Sequence, residues 1–259
     1  MTTLHHRVQG QGPLLVFSHA LGCDLHMWDS TVAHLTDRYT VVCYDHRGHG
    51  QSPGGAKPFT MDDLADDAAN LIDHLVLGPA HFVGVSMGGM TAQALAARAP
   101  HLVRSIVVAN AASHYSSDAQ TLWQLRIQTV LSEGMAAIAD SAMQRWFTPA
   151  FRATASTEVA ALRAVLLRTD PTAYAHACAA VAGIALEGGN HHIRCPALVV
   201  AGSLDEATPP ALSADIAGHI PGAQWVTLET AHLGCVEQPE RFAALVEAFV
   251  SGVETPPPR

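Results

Sequence analysis

Lysine is almost missing from this chain: Lys57 stands alone among fourteen basic residues, set against twenty-three acidic ones for a formal charge of −9. Gripping a phosphate backbone takes clustered Lys and Arg, so no nucleic-acid partner is expected. No apolar run approaches the roughly 20 residues that cross a bilayer, and the opening residues Met1 to Arg7 lack the apolar core of a secretion signal. No membrane association is therefore expected. The five cysteines (Cys23, Cys43, Cys178, Cys195 and Cys235) are an odd, scattered set without Cys-x-x-Cys pairs. Neither a disulfide framework nor a zinc site follows, and reduced thiols in a cytoplasm are the expected state. Gly-x-Gly-x-x-Gly and His-Glu-x-x-His are both absent, so neither a dinucleotide cofactor nor a metal is expected.

What the chain does have is apolar material in short runs. Hydrophobic residues make up 49% of 259 residues and charged ones 14%, enough for one large core. Leu14–Ser18, Thr40–Tyr44, His81–Val85, Arg104–Ala109, Ala197–Ala201 and Gln224–Leu228 read as short buried strands bounded by Gly, Pro or Asp. Helical segments fill the gaps: Met61–Val76 and Pro239–Val250 carry apolar residues at helical spacing, and Thr91–Arg98 is Ala-rich and directly follows the turn at Ser86. Alternation of this kind predicts an α/β fold with a mostly parallel sheet flanked by helices. It breaks between Ser113 and Asn190, where Trp123–Leu131, Ala136–Trp146, Thr157–Leu167 and Tyr174–Val181 are all helix-like, punctuated by Pro149 and Pro171. The expected layout is a core from residues 1–112 and 191–259 with a helical cap, 113–190, inserted into it. The tail from Glu254 to Arg259 is expected to fray.

One turn carries chemistry. Gly84-Val85-Ser86-Met87-Gly88 joins a strand to an Ala-rich helix, the context in which Gly-x-Ser-x-Gly projects a serine hydroxyl above a sheet. A serine is a weak nucleophile without a base, and sixteen His compete for that role. His232 stands out because it follows the strand Gln224–Leu228 by a short loop, at the sheet edge where α/β folds gather their catalysts. Asp205, just past Ala197–Ala201, supplies the orienting acid in the order Ser…Asp…His, with Glu206 as its neighbouring rival. The backbone N–H groups of Leu21 and Met87 are placed to hold an oxyanion, and His19 is read as a brace for that loop rather than a second base.

With these residues in place the chain resembles the α/β-hydrolase superfamily over nearly its whole length. Asp45-His46-Arg47-Gly48-His49-Gly50-Gln51-Ser52 resembles the superfamily's Asp-x-Arg-Gly-x-Gly-x-Ser loop, and Ala231-His232-Leu233 with Glu237-Gln238-Pro239 its His loop. More narrowly it is similar to 3-oxoadipate enol-lactone hydrolases in Leu21-Gly22, His26-Met27-Trp28, Gly84–Met90, Trp123–Arg126, Arg145-Trp146-Phe147 and Tyr174…Cys178-Ala179-Ala180. It departs from them at His19-Ala20, where Asn-Ser is common, and at Ala185-Leu186-Glu187, where an acid-Leu-Arg element is common. The resemblance implies a serine hydrolase that opens a small carboxylated lactone, with Trp146, Arg145 and Arg126 facing the substrate. A general carboxylesterase, a cofactor-free perhydrolase and a ligand receptor that kept the pocket stay open beside it, as does the oligomeric state.

Other conspicuous residues have plainer readings. His46 and His49 near Cys43 suit a Gly-rich structural turn better than a metal cluster. His191-His192 reads as an extended lead into a strand, whose adjacent side chains diverge. Cys23 and Cys235 read as small buried hydrophobes, and Trp28 and Trp123 as core.

Overall fold

Buried backbone must pair its N–H and C=O groups, and the apolar runs do so in one seven-stranded sheet of order β1-β3-β2-β4-β5-β6-β7. The computed structural model describes residues 4–54 and 57–255; the expectations for residues 1–3 and for the tail at 256–259 lie outside them, whereas Glu254, expected to fray with that tail, ends a helix with its carboxylate on Arg104 and His81. The strands are β1 (His6–Gln9), β2 (Leu14–Ser18), β3 (Thr40–Tyr44), β4 (Ala80–Val85), β5 (Val103–Ala109), β6 (Ala197–Gly202) and β7 (Gln224–Leu228). All pairings are parallel except β1 with β3. Strands β2, β4 and β6 are buried throughout, as coverage of both faces by helices requires.

Two edges depart from the expectation of six buried strands. Strand β1 was not read from the sequence: it is four half-exposed residues with weak alternation, held by its antiparallel register against β3. Strand β7 is not buried, and Trp225 is 52% exposed. As the last strand of the sheet it has a neighbour on one side only.

The first core helices are α1 (Asp29–Val32), α2 (Met61–Leu75) and α3 (Met87–Arg98). Helix α2 opens on a reciprocal capping box between Thr60 and Asp63. Helix α3 begins four residues before the Ala-rich stretch, directly at the turn after Ser86. Between β5 and β6 come α4 (Ser117–Glu133), α5 (Ala136–Trp146), α6 (Pro149–Thr154), α7 (Ser156–Arg168), α8 (Pro171–Ala182) and α9 (Glu187–Asn190). Pro149 and Pro171 start α6 and α8, where a missing N–H costs nothing. The core resumes with α10 (Pro210–His219), α11 (Gly234–Glu237) and α12 (Pro239–Glu254).

The two ends of this helical insertion meet. Leu186 N–H donates to Ser113 O at 2.8 Å, His114 bridges Ala185, and His114 Nδ1 lies 3.0 Å from Glu187 Oε1. His191 and His192 fall in a turn after α9 rather than in extended chain, because α9 still bonds His192 N–H to Gly189 O.

The loop after β3 is held by one carboxylate. Asp45, 1% exposed, accepts the N–H of Leu25 at 2.7 Å and of Gln51 at 2.8 Å, and contacts His5 Nδ1 at 2.9 Å. Gly50 sits at φ +52, and a Cβ there would overlap that carboxylate. Asp45→Ala leaves two N–H groups without their acceptor and is expected to lower stability by about 2–4 kcal/mol in urea unfolding. A change under about 0.5 kcal/mol would mean that the loop holds itself.

Candidate active site

Ser86 occupies a backbone conformation that an L residue adopts only under constraint, φ 57 and ψ −118. The constraint is visible on both sides. A Cβ at Gly84 would overlap the carbonyl of Gly88, and one at Gly88 would overlap the carbonyl of Ser18. Only glycines let β4 reverse into α3 against β2. Ser86 N–H is tied to Ala109 O at 2.9 Å, which fixes the turn to β5.

The loops after β6 and β7 bring Asp205 and His232 together. His232 Nδ1 lies 2.8 Å from Asp205 Oδ2, and the residues are 4% and 3% exposed. The same carboxylate oxygen accepts Thr208 Oγ1 at 2.7 Å and Asn110 Nδ2 at 2.7 Å. Its partner, Oδ1, accepts the N–H groups of Ala207 at 2.8 Å and Thr208 at 3.0 Å. Burial by itself would push this carboxyl up. The facing His232 and the donors of Thr208 outweigh it and hold Asp205 below the usual carboxylate value. Glu206 is exposed and takes no part in this network. With Nδ1–H directed at Asp205, the neutral imidazole keeps Nε2 as its basic nitrogen.

Ser86 and His232 line one cavity of about 50 Å³ together with Leu21 and Thr208. No hydrogen bond closes between Ser86 and His232, a looseness common before substrate is bound. The Leu21 and Met87 N–H groups find no acceptor among the described residues, and Met87 is the first residue of α3. Donors left free at a helix N-terminus are suited to a developing negative charge.

The far wall comes from the helical insertion. Tyr115, Trp123, Arg126, Arg145 and Trp146 all line the cavity. Arg126 donates to Tyr174 Oη at 3.1 Å and lies over the Trp123 ring at 5.5 Å. No carboxylate among the described residues pairs with Arg126 or Arg145. Trp28 is fully buried in the core as expected, whereas Trp123 is only half-buried: it packs against the core and Tyr115 and also lines the cavity. Asn110, Thr208 and Tyr115 were not singled out in the sequence. A polar residue just past a strand end was the one signal for the first.

Behind Leu21 sit three buried histidines. His49 Nε2 accepts Gly22 N–H at 3.1 Å, His19 Nε2 accepts His46 N–H at 2.9 Å, and His46 Nε2 meets Ser18 Oγ at 2.8 Å. They brace the loop that carries Leu21, in keeping with the structural reading of His19 and of the 45–52 turn.

The alpha/beta hydrolase fold family matches residues 13–239, and the chain belongs to that family. Among its relatives, it is 39% identical over 242 residues to 3-oxoadipate enol-lactonase 2 of Acinetobacter baylyi, covering 93% of this chain and 90% of that one. The enol-lactonase of Burkholderia xenovorans superposes with a TM-score of 0.93 at 36% identity, covering 96% and 97% of the two chains. A thermophilic esterase from Thermogutta terrifontis superposes with a TM-score of 0.91 at 27% identity, over 97% and 94%.

The buried histidines make acid stability predictable. Burial drives all three below the ordinary His value, His49 to about 3, so the folded state keeps them neutral where the unfolded chain would protonate. Stability is full above the unfolded value of about 6.5 and is lost as pH falls below it, by up to about 1.4 kcal/mol per unit for each His. The expected result is a Tm that drops steeply from pH 7 to pH 5. His49→Gln keeps an acceptor for Gly22 but cannot titrate, and its Tm should fall less steeply with pH; an unchanged slope would clear His49.

Proposed function

We propose that the chain opens a small carboxylated enol-lactone of the 3-oxoadipate type through an acyl-enzyme on Ser86. The observation that carries this reading is a cavity in which Ser86 and an Asp205-backed His232 face two arginines, Arg126 and Arg145, that no carboxylate among the described residues neutralises. The two enol-lactonase relatives support it.

In this reading Ser86 Oγ attacks the lactone carbonyl while His232 Nε2 takes its proton, and Asp205 stabilises the imidazolium through Nδ1. The N–H groups of Leu21 and Met87 hold the tetrahedral oxyanion. Collapse breaks the ring C–O bond, and His232 returns the proton to the enol oxygen. That enol tautomerises to a ketone, which removes the tethered nucleophile that would otherwise close the ring again. Water, deprotonated by His232, then releases the acid. Residues 113–190 act as the cap that forms the substrate end, with Trp146 as a wall and Arg126 and Arg145 as its charge. No cofactor, metal or nucleic acid enters the scheme. A cytoplasmic setting is part of this reading and accords with five free thiols; no helix among the described residues is long and apolar enough to cross a membrane.

The general esterase is the second reading, favoured by the Thermogutta terrifontis neighbour. Ser86→Ala is expected to lower turnover by about 10⁴-fold or more and to abolish labelling by a fluorophosphonate. Wild-type protein that resists the label would return the chain to the receptor class. Arg126→Ala or Arg145→Ala should raise KM for a carboxylated lactone by roughly 10- to 150-fold, the value of a partly desolvated bidentate pair. Its methyl ester should be turned over nearly as before. Equal losses on acid and ester would assign the arginines to packing and the chain to the esterases.

A further inference from the structure

We propose that Asn110 is a positioning residue for the acid: its side-chain amide, with the Thr208 hydroxyl, fixes the one oxygen of Asp205 that meets His232. The proposal rests on the Ser86–His232–Asp205 reading and adds a residue from a different strand to it.

Asn110 is the first residue beyond β5 and is 2% exposed. Its backbone N–H donates to Val200 O in β6 at 2.9 Å, and its Nδ2 donates to Asp205 Oδ2 at 2.7 Å and reaches Ala231 O at 3.5 Å. The preceding carbonyl, of Ala109, holds the N–H of Ser86. One residue therefore touches the strand before Asp205, Asp205 itself and the residue before His232, and adjoins the anchor of Ser86. Its backbone lies at φ 48, a left-handed value that Asn accepts more readily than most residues.

The geometry of the carboxylate says why an amide stands there. Oδ1 is held by two N–H groups of its own loop, so the direction of Oδ2 depends on the three donors that reach it. Of those, His232 changes protonation during turnover. The Thr208 hydroxyl, 3.2 Å from His232 Nδ1, belongs to the loop of Asp205 itself and is a free rotor about its C–O bond. Asn110 alone comes from outside both loops and cannot turn its hydrogen away, so it references the acid to the sheet. Its donation also spreads the charge on Oδ2, which keeps a buried carboxylate ionised and lets the Asp205–His232 pair release its proton.

The test is the pH profile of kcat/KM. Asn110→Gly retains the left-handed backbone and deletes the side chain with its amide. It is expected to lower kcat about 10- to 100-fold with KM within about twofold, and to move the acid limb up by about one pH unit, since the coupled pair holds its proton more tightly. Asn110→Asp replaces the donor with a carboxyl 2.7 Å from Oδ2, where two like charges cannot both ionise, and should move the limb further. The other charged or titratable groups around the pair are Glu206, Tyr115, Arg126, Arg145 and Glu237, and they are common to every variant, so the shift from wild type isolates Asn110. Thr208→Val removes the second donor to the same oxygen and should shift the limb in the same direction, with Thr208→Ser restoring it; this pair decides the matter if the Asn110 variants fail to fold. A loss of kcat with the limb unmoved, or unchanged activity, would overturn the positioning role. Asp205→Asn serves as the control: if it stays active, the triad reading itself fails, whereas an inactive Asp205→Asn beside an unperturbed Asn110→Gly defeats this proposal alone.

Discussion

The close approach of α3 to the ends of β2 and β4 is the constraint on which the rest of the site depends. Glycines at 84 and 88 remove the two Cβ atoms that would keep helix and strand apart. Ser86 is then squeezed into a strained conformation, with its N–H bonded sideways to β5. The strain costs on the order of 1–3 kcal/mol and persists because the fully buried parallel strands β2 and β4 over-determine it. The reward is geometric: the hydroxyl stands at the carboxyl edge of the sheet, and the first N–H of α3 is freed beside it. Leu21, Asp205 and His232 reach that point because β2, β6 and β7 run parallel to β4 and end on the same edge.

How much of this was legible in the chain depends on the distance over which each signal acts. Buried strands announce themselves locally, by Val and Leu runs with turn residues at their ends, and five of the six expected runs are buried strands. The edges are harder. Whether Gln224–Leu228 is covered depends on what lies beyond it, and β1 exists only through its partner β3. The Ser86, Asp205 and His232 positions were legible because each follows a strand, and strand ends converge in a parallel sheet. Asn110 follows a strand too, but an amide carries no chemistry that would single it out until Asp205 is seen 2.7 Å away. Trp123 was read only in part for a related cause: helical spacing says which residues share a face, and not whether that face meets a core, a cavity or, as here, both.

Polar groups inside the molecule divide into two regimes. Near Leu21 the three histidines are neutral and work as acceptors and donors that shape a loop, with desolvation dominating. At Asp205, burial is overcome by a facing imidazole and surrounding donors, and charge is retained. The cavity between them meets Arg126 and Arg145, half-buried and without a carboxylate partner among the described residues, so its field is positive on the side of the helical insertion and anionic behind the imidazole. A substrate with a charge at one end and a carbonyl at the other would be oriented by that field before any contact is made.

The neck of the insertion has an evolutionary meaning. Because Ser113 and Leu186 are hydrogen-bonded and His114 bridges Ala185, the chain leaves the sheet and rejoins it at adjacent points. Everything between those points can be lengthened, shortened or exchanged without moving a strand, since neither β5 nor β6 has to shift to receive it. The sheet edge that bears Ser86 and the wall that faces it are in this sense separable parts. Under the proposed scheme, a different wall on the same neck would change what is recognised while Ser86, Asp205 and His232 stay where they are.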